Sequence, residues 1–334
     1  MTKIIYMKEK NNEDILKECA MSIRNGGIVV LPTETVYGIG ANALDKNAVE
    51  KIFEVKKRKK NNPLIVLVSD IDMLKCIVKE INSIHKTLIE NFWPGPLTIV
   101  FDKNDILPDN VSGGYETIGI RIPGNTTAIN LIKQSGVPIT APSANISGMP
   151  SITDPKVAYE VFDGKVDYII DDGISTIGIE STIVRVETDV VNILRCGKIL
   201  PEDIEKLGLV VKISSDIPSK KNIHYDIGKN SIIVAGNEKE ILEKINKYLK
   251  KNLDKKIGMI GFDEHYDIFS SKIEKYIKMG SINNYDEILK RLFNTLNEAQ
   301  KTDVDIFLIE SLENSGIGQV IMNKLIEVSD NNFM

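Results

Sequence analysis

The sequence predicts an α/β protein in two parts: a domain on a twisted mixed sheet, then a small doubly wound domain. Three observations carry that expectation. Between residues 27 and 187, short β-branched runs bounded by Gly or Pro alternate with segments of helical period. From 206 to 229 the pattern lapses into "KLGLVVKISSDIPSKKNIHYDIGK", which is polar, rich in Ser and Lys, and reads as a linker. Beyond it, strand-like runs alternate with amphipathic segments, as in a parallel sheet covered by helices. The expected boundaries are 1–208 for the first domain, 209–229 for the linker and 230–334 for the second domain.

The elements follow in order. "NEDILKECAMSIRNG" is amphipathic and stops at Gly26 and Gly27, ahead of the strand "GIVVLP" (27–32). "AVEKIFEVKK" (48–57) has helical spacing. "PLIVLVS" (63–69), "PLTIVF" (96–101), "TIGIRIP" (117–123) and "PITAPS" (138–143) read as strands, and helices are expected at 71–79, 82–91, 126–135 and 155–162. "VDYIIDDG" and "ESTIVRVE" add two strands. In the second domain the strands are "SIIVAG", "KIGMIGF", "KYIKMG" and "VDIFLIESL". The helices are "NEKEILEKINKYLKKN", "NNYDEILKRLFNTLNEAQ" and "GQVIMNKLIEVS".

Composition narrows the function classes. The chain has 334 residues, enough for two cores, with 42% hydrophobic and 27% charged residues, a globular balance. A net charge of −5 disfavours a broad grip on duplex nucleic acid. Cys19, Cys76 and Cys196 are far apart and form no CxxC, which fits a reducing compartment and excludes a cysteine-built zinc site. The N-terminus turns charged within ten residues and no apolar run is long enough to cross a bilayer, so the expected location is cytoplasmic, with no membrane partner. His85, His224 and His265 lack close companions, which disfavours a His-ligated metal or a Ser-His-Asp triad. No GxxxxGK[ST] occurs.

Transfer of a phosphoryl or nucleotidyl group tolerates such poverty, because it depends on positioning and charge neutralisation. Four stretches could serve it, each with a plainer reading beside it. "LPTETVYGIG" (31–40) lines up hydroxyl residues before a Gly-x-Gly turn, or simply caps a turn with Thr. "VKKRKKNNPL" (55–64) offers Lys56 and Arg58 at a helix end, where cations also suit the helix dipole. "ITAPSANISG" (139–148) sets Ser143 and Asn145 after a strand, for phosphates or for a turn cap. "IGIRIP" buries Arg121 in an apolar strand, a placement that calls for an anion.

Together these stretches carry a resemblance. "LPTETVYGIGANA", "KIFEVKKRKKNNPLIVLV", "FWPGPLTIVF", "IGIRIPGN", "PITAPSANISGMPS", "GIESTIVRV" and "ILRCGKI" follow one another in the order of the YrdC-like domain. With the linker and "SGIGQVIMNKL", the chain resembles the long, two-domain form of L-threonylcarbamoyladenylate synthase, most densely over 27–198. The resemblance implies a YrdC-like mixed-sheet domain followed by a Rossmann-like domain. It also implies an adenylyltransferase that joins L-threonine, bicarbonate and ATP into L-threonylcarbamoyladenylate and pyrophosphate, with Mg2+ carried by ATP and no protein-held metal. The product would pass to the tRNA threonylcarbamoyl-transfer machinery, with tRNA contact by this chain possible but not required.

Carried over by position, the resemblance assigns Lys56, Arg58, Ser143 and Asn145 to catalysis at the phosphates. It assigns Asn62, Arg195 and the linker's Tyr225 to ATP as well, and Thr33, Arg121 and Ser181 to threonine. The chain departs from the family at Lys59 and Cys196, where proline is usual, and at Leu67, where long members often carry histidine. Its linker motif is reduced to "PSKKNIHYDIG", which keeps His224 and Tyr225. The rival reading is a non-catalytic RNA-binding YrdC-like module. The basic run lacks the interleaved aromatics that single-strand binders use.

Overall fold

The computed structural model describes residues 1–7, 12–214 and 225–334. The chain forms two units: Met1–Ser147 with Ser151–Lys221, and Gly148–Pro150 with Asn222–Met334. Most of the reduced linker motif, His224 included, lies outside the described residues.

In the first unit the described strands form one sheet. They are β1 (Lys3–Tyr6), β2 (Val29–Leu31), β3 (Gly38–Asn42), β4 (Val66–Leu67), β5 (Leu97–Asp102), β6 (Thr117–Arg121), β7 (Ile139–Thr140), β8 (Tyr168–Asp171), β9 (Thr182–Glu187), β10 (Val190–Arg195) and β11 (Val210–Ile213). The order across the sheet is β1-β8-β2-β3-β7-β4-β6-β5-β9-β10-β11. Parallel pairs such as β4–β6 and β5–β9 mix with antiparallel pairs such as β2–β3 and β5–β6, so the sheet is mixed as expected.

The strands alternate faces with period two, and each face has its own core. Val30, Ile39, Val66 and Ile120 pack with Val49, Ile52 and Phe53 of the helix Lys46–Lys56. Val29, Leu31, Leu67 and Ile139 point the other way, onto Leu16 and Ile23 of Asn12–Arg24 and Leu131 and Ile132 of Thr126–Ser135. Each such aliphatic side chain contributes about 1.5–3 kcal/mol by leaving water. Local chemistry starts the helices: Asp45 accepts from Asn47 N and Ala48 N, Asn125 from Ala128 N, and Asp154 from Lys156 N just ahead of Pro155. Thr126–Ser135 and Pro155–Phe162 fall on their expected ranges, while the other two expected helices settle at Ile71–Ile77 and Ser83–Phe92.

Two expectations change, and one strand is added. "GIGAN" is no turn but the buried strand β3, pressed so close to β2 that a Cβ at Gly40 would meet Leu31 Cδ2 at 2.5 Å. "VVNILR" is strand β10, antiparallel to β9. Val210–Ile213, read as linker, adds β11 parallel to β10, since its β-branched residues outweigh their polar surroundings.

The second unit holds β12 (Asn230–Val234), β13 (Ile257–Phe262), β14 (Lys275–Gly280) and β15 (Ile306–Glu310), all parallel, in the order β12-β15-β13-β14. Between and after them run the helices Glu238–Lys251, Tyr285–Gln300 and Gly316–Val328. Ile241 and Ile245 from the first helix pack on Met259 and Leu308 of the sheet, the small doubly wound arrangement the sequence predicts.

Candidate active site

In the first unit, two clusters of the side chains assigned from sequence meet the loop between β2 and β3. Thr33, Thr35 and the buried Arg121 form one cluster. Thr33 Oγ1 donates to Val36 O at 2.5 Å, which leaves the Thr35 hydroxyl to donate to Thr33 Oγ1 at 2.8 Å. Arg121, 5% exposed at the end of β6, donates from Nη1 to Thr35 Oγ1 and from Nε to Gly95 O, both at 2.9 Å. Its Nη2 stands 2.6 Å from Glu34 Oε1. That approach is off the donor direction, and neither Glu34 oxygen has a hydrogen-bond partner.

The other side of the same loop holds the second cluster. Ala144 N donates to Tyr37 O at 2.7 Å, and Ser143 bridges to Gly38. Lys56, the last residue of Lys46–Lys56, is 1% exposed, although the sequence places it at a polar helix end. The helix stops at Lys57, whose left-handed backbone (φ 52°) turns the chain back. Lys56 Nζ donates to Ser143 O, to Asn145 O at 2.6 Å and to Asn145 Oδ1 at 3.2 Å. Ser143 Oγ donates to the same Oδ1 at 2.7 Å. Burial first, and the Arg58 charge second, push Lys56 well below the ordinary lysine pKa, whereas three oxygen acceptors favour its ammonium form. Arg58 is half-buried and donates from Nη2 to Pro63 O at 3.0 Å and from Nε to Asn62 O at 3.4 Å, which brings Asn62 to the same corner.

Ser181 and Arg195 make a third cluster. Ser181 Oγ lies 2.8 Å from Thr98 Oγ1, and Arg195 donates to Ser181 O from Nε at 3.1 Å and from Nη2 at 2.8 Å. Glycine is required nearby: a Cβ on Gly197 would meet Glu180 O at 2.3 Å. The segment after Trp93 ties this cluster to the first, because Gly95 O takes Arg121 and Pro96 O takes Thr182 N at 3.0 Å. Backbone bonds from Ile177 N to Glu34 O at 2.7 Å and from Gly178 N to Thr35 O at 3.1 Å close the connection.

The residues assigned from sequence in the first unit thus fall into three hydrogen-bonded groups that share two backbone segments. Tyr225 lies in the second unit, its ring 5.6 Å from Phe293 and under Lys324 Nζ at 4.8 Å. Leu67 sits in the apolar core, 2% exposed, beside Arg121 in the sheet register. Two residues of the site were missed. Thr35, not Thr33, holds Arg121, and Glu34 faces its guanidinium; the only sequence signal was their place inside "PTETVYG". Among the described residues, no group of three or more His, Cys, Asp or Glu could hold a metal ion.

Comparison with known proteins adds identity to this geometry. Residues 21–197 match the Sua5/YciO/YrdC family, described as telomere recombination, and 199–327 match the threonylcarbamoyl-AMP synthase C-terminal domain. Threonylcarbamoyl-AMP synthase of Pyrococcus abyssi is 38% identical, over 98% of this chain and 98% of its own. That of Bacillus subtilis is 34% identical, over 95% and 94%. The crystal structure of P. abyssi Sua5 complexed with L-threonine matches with a TM-score of 0.89 at 36% identity, covering 100% of this chain and 99% of that one. A chain matched from end to end in sequence and fold, with a buried arginine beside a threonine-rich loop, belongs to the threonylcarbamoyl-AMP synthase family.

Proposed function

We infer that this protein condenses L-threonine, bicarbonate and ATP into threonylcarbamoyl-AMP and pyrophosphate, acting as an adenylyltransferase. The observation that carries the reading is Arg121, a buried guanidinium held by Thr35 and Gly95 in a chain similar to these synthases over its whole length. In the reaction, the threonine amine and bicarbonate lose water to form a carbamate. A carbamate oxygen then attacks the α-phosphorus of ATP in line, and pyrophosphate leaves. No protein nucleophile is needed, so the work is positioning and charge neutralisation.

In this reading Arg121 takes the threonine carboxylate, with the Thr33–Thr35 loop and Ser181 around the rest of the amino acid. Arg58, with Asn62 beside it, meets the triphosphate. Lys56 acts from within: by tying down Ser143 O and both oxygens of Asn145 it shapes the loop that would face the phosphates. Ser143 and Asn145 offer hydroxyl and amide groups there, a donor set suited to phosphate oxygens and to the water shell of a Mg2+ that arrives on ATP. Arg195 would complete the nucleotide end. Tyr225 remains assigned to the nucleotide by resemblance alone, and the reading does not depend on it. The product, a mixed anhydride, would serve a transferase that carries the threonylcarbamoyl group to tRNA.

Pyrophosphate release from ATP tests the reading. It should require threonine and bicarbonate together and fall to background when either is withheld. Release that ignores threonine would overturn it.

A further inference from the structure

We propose that Glu34 receives the α-amino group of the amino-acid substrate, giving up Arg121 to the substrate's carboxylate as it does so. The inference rests on the threonine reading of this site and adds the residue that would read the nitrogen.

The Glu34 side chain is 11% exposed, and among the described residues neither of its oxygens accepts a hydrogen bond. A carboxylate so placed lacks the donors that a buried anion needs. Its nearby cation, Arg121 Nη2 at 2.6 Å, is misaligned and itself without a hydrogen-bond partner. The remaining bonds of Arg121 run to Gly95 O and Thr35 Oγ1, which fix the guanidinium independently of Glu34. The pair is therefore held close by the scaffold without the aligned, two-point bonding of a structural Arg–carboxylate bridge.

The placement is built in. The backbone on either side of the carboxylate is pinned: Thr33 O accepts from Ser175 Oγ at 3.0 Å, Glu34 O from Ile177 N, and Thr35 O from Gly178 N. Beneath the carboxylate lies Gly124, where a Cβ would stand 3.0 Å from Oε1 and 3.1 Å from Cδ. Any other residue there would crowd the carboxylate.

An α-amino acid is a zwitterion with both charges on one carbon, and a guanidinium beside a carboxylate is its mirror in charge. On binding, the substrate carboxylate aligns with Arg121 in place of Glu34, and the substrate ammonium supplies the donors that the Glu34 oxygens lack. One misaligned internal pair becomes two aligned ones, with no change in net charge at the site. For carboxylation the ammonium first gives one proton to solvent. The neutral amine then attacks bicarbonate, and a second proton leaves with the bicarbonate hydroxyl as water. The one remaining N–H can stay on Glu34 while the new carboxylate turns to the phosphate.

Glu34→Gln tests this, since it keeps shape and removes charge. Losing a charge-assisted hydrogen bond should raise the threonine KM about 10- to 100-fold and leave the ATP KM within about twofold. The decisive readout is the preference for threonine over its α-hydroxy analogue, measured by calorimetry. Wild type should prefer threonine strongly, and Glu34→Gln should bring the ratio near one, with Glu34→Asp recovering part of it. Thermal melting of each variant reports folding separately. If Glu34→Gln binds threonine as wild type does, or weakens threonine and the analogue equally, the assignment is wrong. If wild type itself shows neither threonine binding nor threonine-dependent pyrophosphate release, the functional reading fails first, and Glu34 falls with it.

Discussion

Both units bury a carboxylate against a cation near the carboxyl end of a strand, and the two carboxylates are handled differently. In the second unit Glu310 ends β15 and is wholly buried. Its Oε2 accepts from Phe262 N at 2.7 Å, and its Oε1 meets His265 Nδ1 at 2.6 Å. His265 Nε2 in turn faces Glu238 at 3.3 Å, and Tyr276 donates to Phe262 O at 2.7 Å. That cluster closes on itself. In the first unit, Glu34 is almost as deeply placed, yet both its oxygens lack an aligned donor. A saturated buried pair fixes local geometry, whereas an unsaturated one keeps acceptor capacity for a ligand. The contrast teaches that two carboxylates of similar burial differ in saturation: Glu310 has its acceptors filled, and Glu34 keeps its own open.

The sharpest way to break this contrast is to remove the cation on the unsaturated side. Arg121→Ala leaves Glu34 and the substrate carboxylate uncompensated, worth about 3–5 kcal/mol, so threonine-dependent turnover should drop by at least about a hundredfold. Arg121→Lys should raise the threonine KM far more than the ATP KM. The reverse order would place Arg121 at the phosphates.

Next come the two cations of the basic run, which the structure distinguishes. Lys56→Ala strips three oxygens of their donor inside the fold and should lower stability by about 3 kcal/mol, visible as a lower melting temperature with activity lost alongside. Arg58→Ala should melt near wild type while turnover falls through loss of phosphate neutralisation. Equal melting of the two variants would mean that Lys56 is not structural.

The saturated side makes a smaller, pH-dependent prediction. Hydrogen bonding to Glu310, opposed by burial and aided by the charges of Glu310 and Glu238, raises the His265 pKa to about 9. A raised pKa means that folding favours the protonated form. The contribution is therefore complete below the unfolded value near 6.5 and is lost as pH climbs through about 9. It amounts to a few kcal/mol at most. Denaturant melts of wild type should weaken across that window, and Glu310→Gln should flatten the slope. A slope unchanged in Glu310→Gln would show that the pair is not its source. The smallest effect is expected at Lys60, whose ion pair with Glu50 is exposed on the lysine side; Lys60→Ala should leave melting and turnover close to unchanged.

Much of the architecture was legible because it rests on local chemistry. The helices Thr126–Ser135 and Pro155–Phe162 announce themselves by caps and period, and the four strands and three long helices of the second unit lie where alternation predicts, while the short helix Tyr266–Phe269 was not anticipated. β3 was not legible: two glycines in five residues argue for a turn, and only the neighbouring Leu31 and Ile139 explain why a strand needs them. The site divides in the same way. Arg121 stood out because an arginine in an apolar strand demands a partner. Lys56 and Arg58 looked alike in sequence, and their difference arises from the Ser143–Asn145 loop packing over one of them. Glu34 was passed over because a glutamate between two threonines in a loop looks solvated until the fold closes around it.

The deep seating of Lys56 also bears on how the basic run behaves as a set of reactive amines. "KKRKK" contains four lysines. Lys57, Lys59 and Lys60 are exposed, whereas the Lys56 amine is enclosed with its three hydrogens spoken for. Acylating reagents, or an acetyl-transferring enzyme, would therefore find three sites on the folded protein and leave the fourth unmarked. The stretch could lose most of its lysine charge by modification while the one amine that holds the Ser143–Asn145 loop stays out of reach.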